Sequence, residues 1–336
     1  MQMHPHHRFA LRPLILLATL LLLLPLAAQP ATATEPETFP GGNGLLAATD
    51  YLNDPQAPYG KTLGIVTFTD RGQDRTVLTP TGSGAFFEAG SWSPDGTMIA
   101  LDGGTWGVPP DSDFPITHIY TMNADGSGLT DLTPGPLDWE QSASWSPDGS
   151  RIYFQSLTAD PKGITLWSMK PDGSDRTQVP GFVCKCTGLN TDFSPDGLIV
   201  YDDFIHGQNH ILTFDPSTGK TTDLTPNANY AEMPKWAPGG HRIVYSRLRE
   251  SPDGDAYGED IYRMRANGSK KKLLRYGGHG FLLNPAYSPD ARLIAFEASG
   301  DINSKAWIMH ANGTGARKIG RGMFLDWQAL GPPPAP

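Results

Sequence analysis

Acidic and aromatic side chains gather in the irregular stretches of this sequence, and they offer two kinds of chemistry. Asp253-Gly254-Asp255, followed by Glu259 and Asp260, supplies hard oxygen donors of the kind Ca²⁺ takes, although the spacing does not meet the EF-hand loop pattern. Tyr257 lies inside that run. Elsewhere, carboxylates stand beside aromatic or imidazole groups: Trp106 with Asp111 and Asp113, Trp139 with Glu140, Asp202 and Asp203 with His206, and Tyr230 with Glu232. The expected binding residues are therefore Trp106, Trp139, Glu140, His206, Tyr230, Glu232, Asp253, Asp255, Tyr257 and Glu259. Two readings apply to them. One is a solvated acidic rim; the sharper one is a site for a basic peptide segment or a cation. Ca²⁺, held by Asp253, Asp255 and Glu259, is the one ion these residues suggest, and no other cofactor is expected.

Catalytic signatures are missing. The sequence has no Gly-x-Ser-x-Gly elbow, no His-Glu-x-x-His and no phosphate-binding glycine loop. His118, His206, His210, His241, His279 and His310 are scattered along the chain. A histidine at a strand end is more often structural than catalytic. Convergence of His206, His279 and an acid such as Glu232 would favour the alternative reading, a small lyase or hydrolase with a metal or carboxylate site.

The elements that position these residues come from a repeat. Trp145-Ser146-Pro147-Asp148-Gly149 recurs as Trp92 to Gly96 and Phe193 to Gly197, and in worn form as Trp236 to Gly240 and Tyr287 to Ala291. The steps from aromatic to aromatic are 53, 48, 43 and 51 residues. Each unit runs through an approach strand ending in the aromatic, a turn, an apolar strand such as Ile152-Tyr153-Phe154, a variable loop, a third strand and a hairpin signal such as Asn123-Ala124-Asp125-Gly126. Proline presets φ in these turns and glycine takes the positive φ. Four short antiparallel strands repeating at this period predict an all-β fold, the β-propeller. Before Trp92 there are only three strand patterns, and Met323-Phe324-Leu325-Asp326-Trp327 is an approach strand with nothing after it. Pairing that C-terminal strand with the N-terminal blade closes a six-bladed ring and removes its open edge.

Connectivity then assigns faces. The Ser-Pro-Asp-Gly and Asn-Gly turns are short and share one side. The longer loops (residues 102–117, 156–165, 202–209, 246–259 and 297–305) share the other. Binding residues concentrate on variable loops over a rigid scaffold, so the long-loop face around the channel is the expected binding face. Trp92, Trp145, Phe193, Trp236, Tyr287 and Trp327 are expected to be blade scaffold on the opposite side.

The remaining features bound the context. Residues 1–33 have a weakly basic start, an apolar run from Leu14 to Leu26 and small residues at Ala31-Thr32-Ala33, the pattern of a cleaved signal peptide. A short linker (34–43), the propeller (44–330) and a Pro-rich tail (331–336) follow. The expected location is outside the cytoplasm, periplasmic or extracellular. The formal net charge of −9 argues against a nucleic-acid partner. Cys184 and Cys186 are the only cysteines; in an oxidising compartment they either bond to each other or stay as buried thiols. Lys270-Lys271-Lys272 opens an outer strand, where lysine discourages edge-to-edge pairing.

The Trp-Ser-Pro-Asp-Gly core and the Asn-x-Asp-Gly hairpin resemble the WD40-like (PD40) repeat of the TolB-type β-propellers, over about residues 44–330. The resemblance implies a periplasmic or secreted propeller that engages a protein or peptide partner without catalysis. TolB itself carries an α/β domain ahead of its propeller, and this sequence is expected to lack it, with about ten residues between the cleavage site and the first strand.

Overall fold

The computed structural model describes residues 42–105, 116–135, 139–157, 163–185, 191–227, 230–250, 256–299 and 304–331, and nearly all regular structure in them is strand. The described residues open with three strands of the first blade, β1 (Gly42–Asn53), β2 (Lys61–Phe68) and β3 (Thr76–Val77). Five complete four-stranded sheets follow. The second blade holds β4 (Ala85–Trp92), β5 (Met98–Thr105), β6 (Ile116–Asn123) and β7 (Thr130–Asp131). The third holds β8 (Glu140–Trp145), β9 (Ile152–Ser156), β10 (Ile164–Met169) and β11 (Thr177–Cys184). The fourth holds β12 (Asp192–Phe193), β13 (Ile199–Ile205), β14 (Gln208–Asp215) and β15 (Lys220–Asp223). The fifth holds β16 (Ala231–Trp236), β17 (Arg242–Glu250), β18 (Ala256–Arg265) and β19 (Lys272–Arg275). The sixth holds β20 (Phe281–Tyr287), β21 (Leu293–Ser299), β22 (Lys305–His310) and β23 (Arg317–Arg321).

The last strand, β24 (Met323–Leu330), pairs antiparallel with β1, so the first blade has the order β24-β1-β2-β3. The six-bladed ring is therefore closed by its own C-terminal strand, as the unpaired approach strand around Trp327 predicts. Gln328 fastens the junction twice: its side-chain oxygen accepts the Leu45 N–H at 3.1 Å, and its amide donates to the Gly96 carbonyl at 2.8 Å.

The repeat turn is built by its own side chains. In the third blade Ser146 Oγ donates to Asp148 Oδ1 at 2.6 Å, and the Arg151 N–H donates back to Ser146 Oγ at 2.9 Å. The same pair of contacts occurs at Ser93–Asp95 and Ser288–Asp290. The aspartate of the motif is thus a turn-builder. Gly96 needs to be glycine for two reasons: its φ is +70°, and a Cβ there would collide with the Ala329 carbonyl.

Each aromatic at the end of an inner strand is wedged against the preceding blade. Trp92 packs with Ala47 and Ile65 of the first blade, Trp145 with Ala100 and Ile119 of the second, and Trp236 with Val200 and Ile211 of the fourth. The core is accordingly a series of inter-blade clusters. Lys271 reaches back in the same way, donating to the Leu224 carbonyl of the fourth blade at 2.9 Å.

Among the described residues, no helix is long and apolar enough to cross a membrane. Cys184 is disulfide-bonded, and Cys186, the only other cysteine, lies outside the described residues.

Candidate functional site

A column of buried polar side chains runs around the ring at one register of the second strands: Thr49, Asp102, Gln155, Asp202, Ser246 and Glu297. Three of them, Asp102, Asp202 and Ser246, reach across to a kinked inner strand of the next blade. Asp102 accepts the Ser142 N–H at 2.8 Å and the Ala143 N–H at 3.2 Å. Asp202 faces the Met233 N–H at 3.4 Å, and Ser246 Oγ donates to the Leu282 carbonyl at 2.9 Å. The inner strands carry a register shift here (Gln141/Ser144, Glu232/Lys235 and Leu283/Ala286). Non-glycine residues three before the repeat aromatics adopt positive φ: Ser142 at 63°, Met233 at 55°, Asn284 at 50° and Phe324 at 48°. A bulge of this kind frees backbone N–H groups from the ladder, and the buried acids take them up. These acids are latches between blades.

Among the described residues, several carboxylates of the expected acidic face also have partners within the fold. Glu140 is fully buried and ion-paired with Arg176. Glu232 accepts from Asn209 at 3.0 Å, and Glu297 accepts from Ser304 at 2.6 Å and Asn284 at 3.2 Å. Asp260 pairs with Arg249 at 3.0 Å and accepts the Gly277 N–H at 2.8 Å. Burial, reinforced by the neighbouring Glu232, pushes the Glu259 carboxyl well above the ordinary carboxylate range. Burial pushes Asp102 up to about 8, and burial with Glu232 pushes Asp202 up to about 7.

These shifts make stability pH-dependent. A carboxyl whose pKa is raised in the folded state contributes stability below the ordinary carboxylate range and loses it as pH rises through its folded value. Asp102, Asp202 and Glu259 therefore act against the fold as pH climbs from about 4, Asp202 through about 7 and Asp102 through about 8. Asp125, Asp148, Asp172 and Asp215 have the opposite sign, because serine hydroxyl groups hold their carboxyls below the usual range. Their contribution is lost as pH falls below about 4. Thermal melts should accordingly give a higher Tm at pH 5 than at pH 8.5; an equal or higher Tm at pH 8.5 would refute this assignment.

The opposite, turn-side end of the channel holds a cavity of about 210 Å³. Its rim carries Pro94, Pro147, Pro195, Pro238 and Pro289, backed by the six repeat aromatics Trp92, Trp145, Phe193, Trp236, Tyr287 and Trp327. Its charged groups are Asp192, Lys235 and Asp326, each occupying the position just before a repeat aromatic. Lys235 Nζ stands 3.7 Å from Asp192 Oδ1. The Trp236 N–H donates to Asp192 Oδ2 at 2.6 Å, and the Trp92 N–H donates to Asp326 Oδ2 at 2.8 Å. Burial pushes Asp326 up to about 6 against the pull of Lys235, and burial raises Asp192 as well, again opposed by Lys235. A smaller cavity of about 40 Å³ adjoins the mouth, sharing Ser91, Lys235 and Asp326 with it.

The sequence-predicted binding residues are therefore spread out. Trp106, Asp253 and Asp255 lie outside the described residues, as do Asp111 and Asp113, and only the backbone of Tyr257, in β18, is described. Trp139 bridges Thr117 through its backbone. Tyr230 is half-buried with φ at 48°, and its carbonyl accepts the Leu248 N–H at 3.0 Å. His206 is exposed on the two-residue turn His206-Gly207 between β13 and β14, where Ile205 faces Gln208. The stretch 202–209, read from sequence as a long loop, is mostly strand. Glu232 and Glu259 do come together. Among the described residues, no group of three or more His, Cys, Asp and Glu could hold a metal ion. Asp192, Lys235 and Asp326, not expected from the sequence, share one repeat position and a common place on the channel wall.

Known proteins share this architecture. The chain is 30% identical over 214 residues to a TolB homolog from Chlorobium chlorochromatii, a match covering 63% of this chain and 46% of that protein. An uncharacterized protein from Agrobacterium fabrum is 28% identical over 190 residues, covering 56% of this chain and 60% of the relative. The match thus spans about half the length of these two curated relatives. The fold is shared with TolB from Acinetobacter baumannii at TM-score 0.66 and 17% identity, over 87% of this chain and 68% of that one. It is also shared with a putative TolB from Agrobacterium tumefaciens at TM-score 0.60 and 18% identity, over 83% and 91%. With the TolB beta propeller domain model matching residues 72–279, more than half of its length, this six-bladed chain belongs to the TolB β-propeller (PD40) family.

Proposed function

We propose that the chain is an exported, non-catalytic binding module that engages a protein or peptide partner at the turn-side mouth of its channel. The mouth itself carries this reading: an open cavity of about 210 Å³ ringed by prolines, with Asp192, Asp326 and Lys235 at its wall. Sites for drug-sized ligands occupy roughly 300–1,000 Å³, so this one suits the tip of a polypeptide segment better than a free substrate. Two carboxylates against one ammonium favour a segment carrying positive charge. The described carboxylates of the long-loop side, by contrast, are largely engaged within the fold. Family membership supports an interaction role, and the leader pattern of residues 1–33 supports export to the periplasm or beyond.

A photo-crosslinking residue placed at Pro147 or Pro289, on the full chain expressed in its own cells, tests both halves. The expected result is a discrete adduct from the rim positions and none from Lys220 on an outer strand. The adduct should carry a mature chain starting near residue 34. Equal labelling from the rim and from Lys220 would overturn the mouth as the site. Adducts that keep Met1 would overturn cleavage.

A further inference from the structure

A second cavity, of about 440 Å³, lies at the junction of the first and sixth blades and has the opposite charge. Asp50, Tyr51, Leu52 and Asn53 at the end of β1 line it, together with Lys61 of β2, Arg75, and Arg321 at the end of β23. One buried carboxylate organises it. Asp50 is 6% exposed, and its two oxygens accept from different arginines: Arg75 Nη2 at 2.5 Å and Arg321 Nη2 at 3.4 Å. The Tyr51 N–H donates to Asp50 Oδ1 at 2.8 Å and fixes the carboxylate further.

The charge does not balance locally. Three cationic side chains face one carboxylate, in a chain whose formal net charge is −9. One arginine would neutralise Asp50. The second, with Lys61, leaves an excess of two positive charges around a cavity large enough for a small ligand. The side chains of Arg75 and Arg321 are 40% and 48% exposed, so each is tethered at one nitrogen while the rest of its fork remains accessible. A guanidinium has five N–H donors in a fixed plane, matched to the oxygens of phosphate or carboxylate. Two such forks held by a shared buried partner form a pre-organised anion receptor, which lowers the ordering cost of binding. Tyr51, 48% exposed on the same wall, offers an apolar surface to whatever carries the anion.

We propose that this pocket binds a phosphate group, with Arg75, Arg321 and Lys61 as its donors and Asp50 as the residue that positions the two arginines. The dianionic charge of a phosphate monoester matches the excess of two positive charges. The site lies away from the turn-side mouth, and the proposal does not depend on the partner reading given above.

Titration calorimetry of the mature chain with inorganic phosphate, at constant ionic strength set by chloride, tests it. The expected result is saturable one-to-one binding, with acetate at least tenfold weaker. Arg75→Gln/Arg321→Gln should weaken phosphate binding at least tenfold, and Lys61→Gln severalfold. Lys61 makes no pair with Asp50, so its variant tests the site without disturbing the blade junction. Lys220→Gln, on an outer strand, should bind phosphate as the parent does. Co-sedimentation with phosphatidate vesicles, set against phosphatidylcholine vesicles, then separates the sources: phosphate-competed retention assigns a lipid headgroup, and phosphate binding without retention assigns a soluble phosphate. Absence of saturable phosphate binding, or unchanged affinity in both the arginine and the Lys61 variants, would overturn the proposal.

Discussion

Replacing Trp145 by alanine should lower stability by about 3–5 kcal/mol, the range for truncating a large buried aromatic. The indole is 6% exposed and packs among Ala100 and Ile119 of the second blade and Ile152 and Phe154 of its own. Its Nε1 also donates to the Ser91 carbonyl at 3.1 Å, a bond across the same blade boundary. Truncation therefore opens a cavity and removes a tie between blades. Trp145→Phe keeps a six-membered ring in the site but loses that bond and part of the indole's packing, and should cost about 1–3 kcal/mol, less than the alanine truncation. Urea unfolding of the three proteins measures both steps. If Trp145→Ala unfolds at the parental midpoint, the wedge assignment fails.

The second large effect is expected at Asp102. Alanine there orphans the Ser142 and Ala143 N–H groups, both in buried residues. Each unsatisfied buried group costs about 1–3 kcal/mol. Ser142 also holds a φ of 63°, strained for a residue with a side chain and maintained by its surroundings. Hydrogen exchange should distinguish this lesion from the one at Trp145: protection at the Ser142 and Ala143 amides should fall first and furthest in Asp102→Ala. The variant should also show a shallower loss of stability between pH 5 and pH 8.5, since one carboxyl with a raised pKa is gone. Retained protection at both amides would rule out the latch.

These two residues show what was legible in the sequence. Trp145 announced itself because its turn recurs, and a recurring turn fixes strand boundaries, blade count and closure together. The strand order of all six sheets follows from that periodicity. Asp102 did not announce itself, because its role depends on a contact some 40 residues away in the next blade. Beside a strand, it looked like the start of a loop. Glu140 misled for a related reason: next to Trp139 it resembled a site residue, yet Arg176 claims it in the interior. The stretch around His206 read as a long loop because a His-Gly pair is a less familiar two-residue turn than Asn-Gly. The charged wall of the turn-side mouth was readable in principle, because five of the six residues just before the repeat aromatics are polar, Ala286 being the exception. The pocket around Asp50 was not, because Arg75 and Arg321 are 246 residues apart and meet only when the ring closes.

That closure also orders the folding reaction in time. The Leu45–Gln328 hydrogen bond spans 283 residues, whereas the strand pairs within the other five blades are local. Local pairings form early, and long-range ones must wait for the entropy of the intervening chain to be overcome. The first three strands can pair with one another before their innermost neighbour arrives, and β1 keeps an unpaired edge until β24 docks. The finished protein hides that edge, while the folding chain exposes it until the ring closes. The vulnerable species for aggregation or proteolysis is thus the nearly complete, unclosed ring.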